Sequence, residues 1–162
     1  MKLSIREAVS DDYLNISKLT LEVHSLHLKN RLDVYLDVSN PLAKEYFDNL
    51  LSDINTKIFV AENTVNKELA AYSILKAMST QSIPILVPQK FVYIDDFSVN
   101  SKYRKNGIGK LLFNHIVEYS KSISAASLQL TVWEFNKDAI KFYESMGMKT
   151  RNRRLEFKLE VE

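Results

Sequence analysis

The sequence predicts an α+β fold in which seven strands and four helices follow one another in the order βααβββαβαββ. Three observations carry this. Strand-like runs with period two or continuous burial alternate with helical stripes of period 3.6. Two strand runs at 57–61 and 69–77 are adjacent, as in a hairpin. A strand, helix, strand unit from 91 to 132 then requires a crossover, which makes its two strands parallel neighbours.

Leu3 and Ile5 alternate with Lys2, Ser4 and Arg6 as the first strand, with Ala8 at its end. Asp11 or Asp12 is placed to cap a helix whose buried stripe is Ile16, Leu19, Val23 and Leu26. From 29 to 40 the periodicity breaks, which predicts a loop, and Pro41 opens a second helix carrying Leu42, Tyr46, Phe47, Leu50 and Leu51. The hairpin follows, with a polar connection that lacks glycine, and then a loop at 80–90 containing Pro84 and Pro88. Residues 91–99 are rich in β-branched and aromatic side chains and read as a buried central strand. The next helix has the stripe Ile108, Leu111, Leu112, Ile116 and Tyr119, and Leu128, Leu130 and Val132 mark the strand after it. Asn136 or Asp138 caps a short helix with the stripe Ala139, Phe142, Tyr143 and Met146, which Gly147 ends by taking φ above zero. Residues 148–152 and 154–161 read as two final strands.

Length and composition bound the function. A chain of 162 residues, 46% hydrophobic and 26% charged, is expected to form a single domain over residues 1–162. Lys and Arg number 22 against 20 acidic residues, so bulk charge argues for neither nucleic acid nor a membrane surface. The chain has no cysteine, which removes disulfides, a thiolate nucleophile and cysteine-bound zinc. No signal core and no membrane-length apolar run is visible, so a cytoplasmic protein is expected.

The chemistry concentrates where the central strand turns into its helix. Gly107 and Gly109 remove side chains where the backbone bends, the first-turn N–H groups carry the positive end of the helix dipole, and Lys102, Arg104, Lys105 and Lys110 flank them. Such a turn suits a phosphate or pyrophosphate. A dinucleotide loop fits less well, because no third glycine follows, and a Walker loop fits worse, because Leu111 stands where Ser or Thr should bind magnesium.

Arg104, Lys105, Asn106, Gly107, Ile108 and Gly109 fit the Arg/Gln-x-x-Gly-x-Gly/Ala motif, and the chain here resembles the GNAT superfamily of acyl-CoA-dependent N-acetyltransferases. Asn136, Phe142, Tyr143 and Gly147 continue the likeness, with spacing similar to that of the spermidine/spermine acetyltransferases. The resemblance covers roughly residues 91–148 and implies a mixed, mostly antiparallel sheet whose parallel pair splays apart to admit acetyl-CoA. It further implies that the turn from Arg104 through Lys110 holds the CoA pyrophosphate, that Asn136 helps hold the cofactor, and that backbone groups of Phe97, Ser98 and Val99 pair with pantetheine. An N–H near Val99 would polarise the acetyl carbonyl. Tyr143 would be the general acid for the leaving thiolate, against the plain reading of a core tyrosine. No metal is implied, the partners are acetyl-CoA and an amine acceptor, and a homodimer is suggested by analogy alone.

Asp95 and Asp96 are adjacent carboxylates in an apolar strand, where charge is costly unless paired or used. Strict alternation puts them on opposite faces. Asp95 occupies the position of a glutamate proposed to relay a proton in the similar enzymes, and Asp96 is then a structural, paired group. His24 and His27, three apart on the first helix, lack a third metal ligand of suitable spacing. They read as edge-of-core residues, one of which could line the acceptor cleft, expected mainly from residues 24–40 and 78–91. The basic run from Lys149 to Lys158 is interleaved with Glu156 and reads as a solvated strand face. The functional readings are an acetyltransferase that uses a ternary complex or, alternatively, a catalytically silent acyl-CoA-binding regulatory domain.

Overall fold

Strand β2 (Thr56–Asn63) is buried from both sides, and its alternation sorts the core into two layers. Ile58 and Val60 join Ile16 and Leu19 of α1 (Tyr13–Asn30), Phe47 and Leu50 of α2 (Lys44–Ser52), and Tyr72 and Ile74 of β3 (Leu69–Ser79). Phe59, between them, turns the other way and meets His115 and Tyr119 of α3 (Ile108–Ser122) edge-on, with ring centroids 4.6 and 5.4 Å apart. Ile16 and Phe47 are 0% exposed, and burying each such side chain stabilises the fold by about 1.5–3 kcal/mol.

The computed structural model describes residues 1–161. Two compact units make up the chain, Met1–Thr131 and the residues from Val132 onward. In the first, five strands lie in the order β1-β2-β3-β4-β5, with β1 at Leu3–Glu7, β4 at Lys90–Val99 and β5 at Ser127–Leu130. Neighbours pair antiparallel except β4 and β5, which are parallel from Phe91↔Ser127 to Ile94↔Leu130. The crossover through α3 thus produces the expected parallel pair. In the second unit, α4 (Lys137–Ser145) starts at Asn136, whose side chain accepts the Ala139 N–H at 3.2 Å. Gly147, at φ +91°, closes it.

Five strands replace the seven expected. Residues 149–161 form no strand, and Leu155, Phe157 and Val161 are exposed by 88%, 88% and 94%. Their alternation survives, but no ladder partner among the described residues takes their backbone groups. Other boundaries shift for local reasons. The second helix begins three residues after Pro41, because Ala43 is still extended and Tyr13 Oη donates to the Leu42 carbonyl at 2.9 Å. Strand β5 stops at Leu130 rather than Val132. Leu111 is half exposed, and the buried stripe of α3 is Ile108, Leu112, Phe113 and Ile116. Among the described residues no helix is long and apolar enough to cross a membrane.

Asp12 does not cap α1 with its side chain. Instead its buried carboxylate accepts from the Val9 N–H and from both ends of the Arg6 guanidinium, at 2.8 and 3.0 Å, and Arg6 also reaches Glu62 at 2.7 Å. Burial alone would raise the Asp12 carboxyl, but the Arg6 and Val9 bonds outweigh it and the net direction is down. A carboxylate depressed in the folded state stabilises above its unfolded pKa, and that stability is lost as pH falls through the folded value. Arg6→Met should therefore cost about 2–4 kcal/mol near pH 7 in urea unfolding. The difference from the parent should narrow below about pH 4, where the unfolded carboxylates protonate. A constant difference down to pH 2.5 would show that the guanidinium acts only through packing.

Candidate active site

The central strand departs from strict alternation at its middle. Ile74 pairs with Asp96 and Leu75 with Ile94, so Asp95 is an extra residue without a partner on β3, a β-bulge. This corrects the expectation of opposite faces. A bulge resets the period, and both Asp95 and Asp96 line one cavity of about 260 Å³. Thr20, Val23, His24 and His27 of α1 form one wall, and Tyr35 and Pro41 form another. Residues 24–40 contribute His24, His27 and Tyr35 to the lining of this cavity, and residues 78–91 contribute none.

The cavity is aromatic on one side and acidic on the other. His27 stacks on Tyr35 at 5.3 Å, and His24 meets the same ring edge-on at 6.0 Å while its Nε2 lies 2.8 Å from the Leu36 carbonyl. Burial, aided by His24, pushes the His27 imidazole below its ordinary value, which favours the neutral ring. Asp95, 37% exposed, lies 3.8 Å from Lys76. Asp96 is turned inward and accepts a hydrogen bond from Tyr72 Oη. Burial first, then the Asp95 charge, raise the Asp96 carboxyl, while the Tyr72 bond and the Phe97 N–H hold it down, leaving it at about 6. Tyr72 is fully buried, and its hydroxyl is 2.9 Å from Thr20 Oγ1. Burial and Asp96 push that phenol well above its usual value, so it stays a donor.

The parallel β4–β5 ladder ends at Ile94↔Leu130. Tyr93 Oη donates to Thr131 Oγ1 at 2.9 Å near that point, and Phe97, Ser98 and Val99 pair only with β3 in the sheet. The chain then makes a 3-10 turn (Ser101–Tyr103) and enters α3, with Gly107 at the N-cap at φ +75°. A non-glycine residue is strained at that angle. Lys105 also has positive φ, at 63°. Leu111 N–H donates to the Gly107 carbonyl at 3.1 Å as the first turn closes. The preceding N–H groups, of Ile108, Gly109 and Lys110, therefore have no partner within the helix.

A Cβ at position 107 would meet no other atom within 4 Å, so the turn is open at that point. Lys105 and Lys110 flank it, both exposed. Asn106 braces the turn by donating to the Tyr103 and Arg104 carbonyls at 3.1 and 3.2 Å. Arg104 turns back, its Nε donating to the Val99 carbonyl at 3.3 Å and its Nη2 lying 3.9 Å from Glu22. Lys102, expected to flank the turn, pairs with Glu68 at 2.8 Å. The arrangement fits a phosphate group. Among the described residues no cluster of three or more His, Cys, Asp or Glu is placed to hold a metal ion.

In the second unit Tyr143 is half-buried on α4, edge-on to Phe142 at 5.4 Å. Its carbonyl accepts the N–H groups of Met146 and Met148 at 3.1 and 3.0 Å. Sequence reasoning missed Thr20, Tyr35 and Tyr72. The one signal for Tyr72 was a phenol in a strand of small and apolar residues, which needs a polar partner when buried.

Residues 20–148 match the family model described as Acetyltransferase (GNAT) family. A solved structure of a mutant of the Bacillus halodurans protein BH1408 is 30% identical, with a TM-score of 0.94, covering 97% of this chain and 99% of that one. Two curated proteins are also similar. An uncharacterized N-acetyltransferase of Methanocaldococcus jannaschii, MJ1207, is 26% identical over 148 residues, which is 91% of this chain and 61% of the relative. The L-ornithine N5-acetyltransferase NATA1 of Arabidopsis thaliana is 31% identical over 64 residues, or 40% of this chain and 28% of the relative. This chain thus spans less than two thirds of the length of either curated relative. With the family model matched over most of its length and the motif set on the glycine turn that opens α3, the chain belongs to the acetyltransferase (GNAT) family.

Proposed function

We propose that this chain is an N-acetyltransferase that passes acetyl from acetyl-CoA directly to a primary amine in a ternary complex, as one catalytic domain working in the cytoplasm. The observation that carries the reading is the layout of β4 and the turn after it. Two carboxylates of β4 at a cavity are followed along the chain by a helix start whose first N–H groups have no partner within the helix. In this reading acetyl-CoA supplies an activated acyl group as a thioester. The turn from Arg104 through Lys110 holds its pyrophosphate, with N–H groups and lysine charge doing the work. Backbone groups of Phe97, Ser98 and Val99 orient the arm, and an N–H near Val99 polarises the carbonyl. Asn136 holds the start of α4, and Tyr143 donates a proton to the leaving sulfur. A homodimer remains part of the proposal by analogy.

The acceptor is a cationic primary amine, with small molecules such as the ornithine of the similar plant enzyme first in line. The test is thiol release from acetyl-CoA over a panel of diamines, polyamines, basic amino acids, aminoglycosides and lysine peptides. Turnover with one class supports the reading. Tight acetyl-CoA binding without thiol release from any amine would replace it with a silent binding domain.

Asp95, at the cavity rim, serves the acceptor amine. Its exposed carboxylate holds the ammonium in register, so Asp95→Asn should raise KM for cationic acceptors about tenfold with little change in kcat. Measuring both constants from pH 6.5 to 9.5 checks this. A fall in kcat that recovers as pH rises toward about 10, where solvent supplies free amine, would instead make Asp95 the proton relay, directly or through a water.

A further inference from the structure

We infer that Asp96 takes the proton that the acceptor's ammonium must lose before it can attack, with the buried Tyr72 hydroxyl as the positioning residue that fixes this carboxylate. The inference rests on the acetyltransferase reading and deepens it.

The two carboxylates of the cavity are in different surroundings. Asp95 is open to solvent and lies 3.8 Å from the Lys76 ammonium. Asp96 faces the same cavity but is set into protein. From β3 it meets Tyr72, from β4 the Asp95 charge and the Phe97 N–H, and across the cavity from α1 it meets Thr20, His24 and His27. His27 is held toward its neutral form. Two carboxylates sharing one site do not both stay ionised easily, and the less solvated one takes the proton. The pair therefore divides its tasks, Asp95 keeping its charge to hold the cation and Asp96 accepting the proton.

A primary alkylammonium has a pKa of about 10.4, so in water its proton would not pass to a carboxylate that titrates near 6. The cavity changes the balance. Transfer converts an ammonium and a carboxylate into a neutral amine and a neutral acid, and burial penalises the charged pair. In the step the N–H bond breaks, its electron pair stays on nitrogen as the attacking pair, and an O–H bond forms on Asp96. The proton leaves to solvent through the cavity once the acetylated product has gone, restoring the carboxylate. Tyr72 makes the carboxylate available at neutral pH. Its hydroxyl donates to Asp96 Oδ2, and Thr20 Oγ1 at 2.9 Å fixes the phenol from behind, itself 3.0 Å from the Ile16 carbonyl.

The test is the pH profile of kcat/KM for an amine identified in the panel, taken for the parent and two variants. The parent should lose activity on an acid limb near pH 6. Asp96→Asn should lower kcat by roughly 10² near pH 7 and abolish that limb, with the defect shrinking toward about pH 10. Tyr72→Phe removes a bond that holds the carboxyl down, so its limb should move up by about half to one pH unit. A structural role would not move the limb. The same carboxyl can be followed without turnover by carbon NMR of labelled aspartate. A midpoint near 6 should vanish in Asp96→Asn and rise in Tyr72→Phe. Parental rates and an unmoved limb in folded variants overturn this inference alone. A parent that releases no thiol with any amine overturns the acetyltransferase reading, and this inference with it. Should Asp96→Asn fail to fold, the Tyr72→Phe profile and titration decide.

Discussion

Tyr143→Phe is expected to lower kcat for acetyl transfer by roughly 10² or more while acetyl-CoA affinity stays within about twofold. The substitution removes one hydroxyl and keeps the ring. That ring packs edge-on to Phe142, and the helix carrying it is fixed by backbone bonds and by the Asn136 cap, none of which involves the phenol. Helix α4 should therefore survive. What is lost is a phenol that donates its proton to the departing sulfur as the carbon–sulfur bond breaks, so that the sulfur does not have to leave as a full thiolate. Rapid-quench and steady-state kinetics on the folded variant, with acetyl-CoA binding measured by calorimetry, separate the two constants. A full-rate Phe variant would make Tyr143 a packing residue and leave thiol departure to solvent.

The parts of this molecule that were legible in the sequence are those whose signal is local. Gly107 and Gly147 mark backbone angles that other residues rarely adopt, and both are in the left-handed region. Asn136 caps the helix it precedes. The hairpin and the parallel crossover follow from periodicity and chain connection. What failed depended on partners that are distant in sequence. Leu155, Phe157, Leu159 and Val161 alternate as a strand face should, but a strand exists only where another strand offers hydrogen bonds, and alternation does not reveal that. The relation of Asp95 to Asp96 failed for a related reason. Period-two reading assumes an unbroken ladder, and the bulge opposite Ile74 and Leu75 carries no glycine or proline to announce it. Tyr72 and Thr20, 52 residues apart, come together only because α1 packs on β3. The glycine turn before α3 was therefore readable as a motif, while the cavity lined by Asp95 and Asp96 was not.

Gly107→Val should weaken acetyl-CoA binding at least tenfold by calorimetry. Two causes contribute, and they are separable. At φ +75° a β-branched residue is strained, which costs about 1–3 kcal/mol and appears as a lower melting temperature without ligand. The second cause is occlusion. A Cβ at 107 clashes with nothing in the protein, so the valine methyl groups would occupy open space at the turn where the pyrophosphate is proposed to come. Gly107→Asn isolates this effect, because asparagine tolerates left-handed φ better than other side chains yet still fills that space. If occlusion dominates, the Asn variant should melt close to the parent and still bind acetyl-CoA several-fold more weakly. If strain dominates, Asn should recover both stability and affinity, since the backbone donors would again point the right way. Unchanged affinity in a folded Gly107→Val protein would remove the phosphate from this turn.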